Sequence, residues 1–247
     1  MSAEVRRVVL ALDRDERTAR LLREAALVAS SLGAELEGLL IEDDALLRLA
    51  GHDFARRLGR EGLARGFSHA DLELEWRAMA TQVRRAFERE AERGQVMARL
   101  AVTRGTVEGA LRDRLAGGDL VVVGWAGWSP PASARRVRVL YEGDVDSERA
   151  LGLARRLAGT DGELVVWVAP DGARAEELGA MALERLRGAP ARIAGLSDAA
   201  PATLRRALTD QPGGLLVVPS AHPLAGRLAD RSEVARFACS VLLTGGA

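Results

Sequence analysis

Ser220-Ala221-His222 places a hydroxyl and an imidazole two positions apart, the residue types that a serine nucleophile and its general base require. The surrounding VPSAHP lacks the G-x-S-x-G elbow, and residues two apart on a short turn rarely align for proton transfer. A small hydrolase using Ser220 and His222 is therefore an alternative reading and not the leading one. Asp43, Asp44 and His52 are metal-ligand types, but carboxylates after a strand usually cap the following helix. His69, near Asp71, reads as part of a loop. Cys239 is the one cysteine, which rules out an internal disulfide and a thiolate-built zinc site. It precedes an apolar run and reads as an inert, half-buried thiol. All 35 basic residues are arginine, so Schiff-base lysines, lysine P-loops and kinase-type phosphate lysines are excluded. No catalytic residue and no metal ligand is assigned.

The elements that must position these groups belong to a soluble globular chain. Of 247 residues, 48% are hydrophobic and 28% charged, with 35 acidic residues balancing the arginines. Neither half is a basic module, which argues against a nucleic-acid partner. No apolar run approaches the roughly 20 residues that span a bilayer. The opening MSAEVRRVVLALDRDE reaches charge too soon for a signal peptide, so a cytoplasmic location is expected.

Short β-branched runs alternate with longer amphipathic stretches. Val8 to Leu12 reads as a buried parallel strand ending at Asp13. Thr18 then precedes a helix that buries Leu22, Ala25, Ala26, Ala29 and Leu32 and stops at Gly33. Leu36 to Ile41 is a strand, followed by a less ordered stretch to about residue 71. A long helix runs through Trp76, Met79, Val83 and Phe87, its charged RRAFEREAER segment facing solvent. Met97–Thr103 is a strand, Thr106–Leu115 a helix and Leu120–Val123 a strand.

The pattern then restarts. Val137–Tyr141 is a strand, Ser147 precedes a helix, and Leu164–Val168 is a strand ending near Asp171. Helices over 174–187, 203–209 and 231–237 alternate with strands over 191–196, 215–218 and 241–243. Asp13 aligns with Glu142, Asp43 with Asp171 and Gly124 with Pro219. The expectation is an α/β chain of two units, 1–132 and 133–247, implying two parallel sheets. Residues 44–75 form an insertion in the first unit, which has no clear fifth strand.

These residues resemble the universal stress protein family. VVLALDRDERTARLLREA carries the family's opening strand, Asp and helix, and VRVLYEGDVDSERALGLA repeats it with Glu142 in place of the Asp. Gly33-Ala34-Glu35-Leu36, Gly105-Thr106-Val107-Glu108, the run Gly118 to Gly124, and Cys239 to Leu243 resemble later parts of the same pattern. The resemblance implies two flavodoxin-like units of adenine nucleotide α-hydrolase type, with sheet order 3-2-1-4-5 and a ligand where that order reverses. It marks Asp13, Gly105, Gly124 and Gly127 as candidate nucleotide-binding positions, with ATP or AMP as the cofactor. Asp13 would lie near adenine and ribose, and the glycines would let phosphates approach bare backbone.

Both copies depart from the family's G-x2-G-x9-G-[ST] loop. After Gly124 and Gly127 comes Trp128-Ser129-Pro130-Pro131, with no Gly-Ser or Gly-Thr following. In the second copy Pro219 and His222 replace the two glycines, and Asp230 would repel phosphate. The leading expectation is a non-enzymatic binding or scaffold protein of the stress response, with nucleotide binding weak or lost. The alternative is an ATP/AMP sensor with one working site in the first unit. Trp125 and Trp128 read as residues buried at a contact between units. The Leu120–Val123 strand would be an open apolar edge, to be shielded by the second unit or by a partner chain. A homodimer is expected from the same resemblance.

Overall fold

The structure is a computed structural model that describes residues 5–12, 18–50, 52, 56–58, 64–66, 68–123, 136–169, 172–228, 237 and 239–245. Within them the chain runs β1 (Arg7–Leu12), α1 (Thr18–Leu32), β2 (Glu35–Asp43), α2 (Asp44–Ala50), β3 (Arg56–Leu58), β4 (Ala64–Gly66), α3 (His69–Gly94), β5 (Ala98–Gly105), α4 (Val107–Ala116) and β6 (Leu120–Val123). It continues β7 (Arg136–Tyr141), α5 (Val145–Ala158), β8 (Glu163–Val168), α6 (Ala173–Leu186), β9 (Arg192–Gly195), α7 (Pro201–Asp210), β10 (Leu215–Pro219), α8 (Pro223–Leu228) and β11 (Ser240–Thr244). This is the expected α/β, flavodoxin-like class.

Nine of these strands form one sheet, ordered β5-β2-β1-β6-β11-β10-β7-β8-β9, where two separate sheets were expected. The join is the pairing of β6 with β11, the one antiparallel pairing in this sheet among the described residues. Its cause is the short first half. Leu120 to Val122 is wholly buried, and an apolar strand of that kind needs a partner on its free side. The last strand supplies it, because β11 pairs parallel with β10 on one edge and antiparallel with β6 on the other.

Alternation of side chains across the strands builds two layers. Val8, Leu10 and Leu12 face one side with α1, α3, α5 and α6. Val9 and Val121 face the other with Leu111 of α4, Leu204 and Leu208 of α7, and Leu224 of α8. Gly38 in β2 sits where a Cβ would come within 2.8 Å of Phe87 on α3, so a bare backbone lets that helix close on the sheet.

Three local expectations are corrected. The stretch to residue 71 contains α2 and the small antiparallel β3–β4 pair, and α3 begins at His69. His69 is therefore helical, positioned by a capping box in which Ser68 and Asp71 each bond the other's backbone N–H. The second half's first helix begins at Val145, because Asp144 is its N-cap and accepts the Ser147 N–H at 2.7 Å. The expected helix over 231–237 falls almost entirely outside the described residues.

Candidate functional site

In a sheet of this kind the crevice forms at the carboxyl ends of the strands where the order reverses. In the first half that place lies between β1 and β6. They are parallel neighbours with Leu10 opposite Val122, and they end at Leu12 and Val123. Asp13, Gly124 and Gly127, which follow these ends in the chain, lie outside the described residues, as do Trp125 and Trp128. Gly105 is described. It closes β5 with φ 132°, a conformation only glycine adopts freely, and it pairs with Asp43 at the end of β2. β2 stands between β5 and β1, so Gly105 is two strands away from the reversal point. Thr106 beyond it caps α4 by accepting the Gly109 N–H.

A contribution from the second half reaches this place, and sequence reasoning missed it. Because β11 runs antiparallel to β6, its first residues lie beside the end of β6, with Val241 opposite Val123. There Ser240 donates its hydroxyl to Glu24 of α1. Cys239, just before it, is 2% exposed, so the half-buried thiol is in fact enclosed. Burial pushes its pKa up to about 12, which keeps it protonated and unreactive. No spacing rule links positions 24 and 240; only the antiparallel join brings them together.

The corresponding place in the second half lies between β7, ending at Tyr141, and β10, ending at Pro219. Here the turn consumes its own donors. Ser220 N–H goes to Thr244 O at 3.0 Å, and His222 N–H to Pro219 O at 3.1 Å. Ala225 N–H goes to His222 O at 2.8 Å, and Leu224 N–H to His222 Nδ1 at 3.0 Å. Pro219 and Pro223 have no N–H. A phosphate cradle needs converging free N–H groups, and this turn offers at most that of Ala221.

His222 itself is buried. With Nδ1 accepting from Leu224, its other nitrogen, Nε2, faces Glu142 Oε1 at 3.5 Å. Both ring nitrogens thus have neighbours other than Ser220, and no hydrogen bond joins Ser220 to His222 among the described residues. Asp43, at the other end of the sheet, accepts the Ala45 N–H at 2.7 Å, the capping role expected of it. Among the described residues no group of three or more His, Cys, Asp and Glu could hold a metal ion, and no helix is long and apolar enough to cross a membrane.

Beneath the first half's strands lies a charged cluster with no motif signature. Glu37 is fully buried and meets Arg7 at 3.1 Å, Arg99 at 2.7 Å and Arg114 at 2.7 Å. Arg7 also reaches Asp119 at 3.4 Å, whose carboxyl burial pushes above the usual range. The second half replaces this cluster with one buried cation. Arg138 donates to the carbonyls of Gly213, at 2.6 Å, and Gln211, and lies over the Trp167 ring.

The sequence matches no family model and no curated protein. Its backbone does match a solved structure. A universal stress protein from Archaeoglobus fulgidus DSM 4304 superposes with a TM-score of 0.61 over 97% of this chain and 96% of that one, at 16% identity. The chain has the universal stress protein fold. Two further neighbours are a universal stress protein in complex with cAMP and one from Burkholderia pseudomallei. The first is 23% identical, with a TM-score of 0.36 over 44% of this chain and 95% of that one. The second is 14% identical, with a TM-score of 0.30 over 78% of this chain and 97% of that one.

Proposed function

We propose that the chain is a universal stress protein of two divergent units, 1–132 and 133–247. It acts as a binding or scaffold module without chemistry of its own, with weak adenine-nucleotide affinity confined to the first unit. The repeated register supports the two units. Val8, Val9 and Leu10 oppose Leu120, Val121 and Val122, just as Val137, Arg138 and Val139 oppose Leu215, Leu216 and Val217. Arg7 opposes Glu35 as Arg136 opposes Glu163.

The observation that carries the functional reading is the turn after β10. Apart from that of Ala221, its N–H groups are spent internally or missing at proline, and His222 is buried there, which supports the loss of a phosphate cradle. The ring nitrogens of His222, which face Leu224 N–H and Glu142 with no hydrogen bond to Ser220 among the described residues, support a reading without hydrolysis. A cytoplasmic homodimer belongs to the same reading.

Isothermal titration of the intact protein with ATP and AMP, with and without Mg²⁺, tests it. The expected dissociation constant is on the order of 1 mM. Binding should be lost in Asp13→Ala and unchanged in His222→Ala. A micromolar first-unit site would convert the reading into that of a nucleotide sensor. An ATP site beside Pro219, or esterase activity lost in Ser220→Ala, would end it. Sedimentation tests the dimer, against which a 26.4 kDa species would count.

A further inference from the structure

The nine-stranded sheet has two edges, β5 and β9. β9 is four residues long and β5 is eight. Soluble proteins blunt their sheet edges with short strands, prolines, bulges or unpaired charges. β5 has none of these. It pairs with β2 residue for residue from Ala98 to Gly105 and contains no proline. Its two charges are tied back to β2, Arg99 to Glu37 at 2.7 Å and Arg104 to Glu42 at 2.9 Å. None of its residues is fully buried.

The outer side of this strand is a row of open backbone groups. Leu36 N–H goes to Met97 O, so in the parallel ladder the odd-numbered residues of β5 turn their N–H and C=O toward β2. Those of Ala98, Leu100, Val102 and Arg104 point outward, and no strand pairs with them among the described residues. Side chains add an apolar margin. Leu100 packs beside Gly38, whereas Val102, on the same face, is 48% exposed. Met97, next to the strand, is exposed, as are Leu46 and Leu49 of α2, which packs against β5. These are four of the eight exposed large hydrophobic residues among the described residues, a concentration that marks an interface.

A second copy of the chain fits this edge. Two identical strands pair antiparallel about a two-fold axis. With that axis at Ala101 all four outward residues find partners, Ala98 opposite Arg104 of the partner subunit and Leu100 opposite Val102 of the partner subunit. Each exposed Val102 is then covered by the partner subunit's Leu100. Arg99 lies opposite Thr103 of the partner subunit, and like charges on one face stay roughly 14 Å apart along the strands. Moving the axis by one residue leaves an outward residue of β5 without a partner in the other β5.

We infer that β5 is a dimerisation edge, two copies pairing it antiparallel about an axis at Ala101 and joining their sheets into one. This rests on the homodimer of the reading above and names its surface.

Sedimentation equilibrium of the full chain, together with copper–phenanthroline oxidation of cysteine variants, tests it. The intact chain should be a dimer. Val102→Pro should be a monomer, because residue 102 makes no hydrogen bond to β2 and proline there removes an outward donor. Ala101→Cys should crosslink to twice the chain mass, since a residue on the axis lies about 4.5 Å from its own copy, Cα to Cα. Val102→Cys should not, and Cys239 is buried and takes no part. A dimer that survives Val102→Pro with an unchanged thermal melt overturns the edge and leaves a homodimer standing. So does a Val102→Cys protein that crosslinks as well as Ala101→Cys. A monomeric intact chain overturns both. If Val102→Pro lowers the melt, the two cysteine variants decide the point.

Discussion

Val122 and Leu242 sit opposite each other in the antiparallel join, one from each half of the chain and both buried. Everything to one side of this pair follows the order of the first half, and everything to the other side that of the second. Removing residues 240–247 would therefore strip partners from β6 and β10 together. The truncated protein should self-associate through these open apolar edges, and sedimentation should show large species where the intact chain gives a discrete one. A discrete truncated species would mean that the join is dispensable.

Glu37 holds three arginines while being wholly excluded from water. Glu37→Ala leaves Arg7, Arg99 and Arg114 crowded beneath the sheet without their shared anion. The expected loss is about 3 kcal/mol of unfolding free energy, read from a urea midpoint. A change within about 0.5 kcal/mol would mean that these arginines resolvate freely.

Cys239 predicts an alkaline limit. Its native pKa, about 12, lies above the ordinary value of 9.0, so the native state holds the thiol proton more tightly than the unfolded chain does. Its contribution is complete below pH 9 and is lost as pH rises from there toward 12. Cys239→Ala should flatten that part of the stability profile. In the native protein at pH 8 the thiol should resist iodoacetamide until denaturant is added.

The capping box of α3 predicts an acid limit. Hydrogen bonds from the Ser68 side chain, then from its backbone, hold the Asp71 carboxyl below its ordinary 3.8. Its stabilisation is present above the unfolded value and disappears as pH falls through the lower native one. Asp71→Asn should remove that segment of the acid profile, which circular dichroism at 222 nm would follow.

Gly38 predicts a packing limit. A methyl group there would meet Leu12 and Phe87 at 2.8 Å each. Gly38→Ala should destabilise by about 1–3 kcal/mol, and Gly38→Ala with Phe87→Leu should recover part of it. Thermal melts of the two variants decide the point.

The class, the strands and most helices were legible because their signals are local. The run VVLAL is apolar enough to be a buried strand, and Thr106 before an amphipathic stretch marks a helix start. That the β10 turn receives no N–H from residue 219 was also legible, since proline lacks the donor. What could not be read was long-range. Nothing near Leu120 indicates that its partner will be Thr244, and the Glu24–Ser240 bond exists only because that join forms. The α2 helix was missed because Asp44–Ala50 is too short for its periodicity to stand out.

The sharing of β11 imposes an order on synthesis. β6 leaves the ribosome about 120 residues before β11 does, roughly 6–24 s at ordinary elongation rates. Throughout that interval the nascent first half displays Leu120 to Val123 as an unpaired edge, and its native partner has not been translated. Nascent-chain binding factors, such as holdase chaperones, should therefore engage this chain in a narrow window that opens when Val123 emerges and closes when Thr244 does.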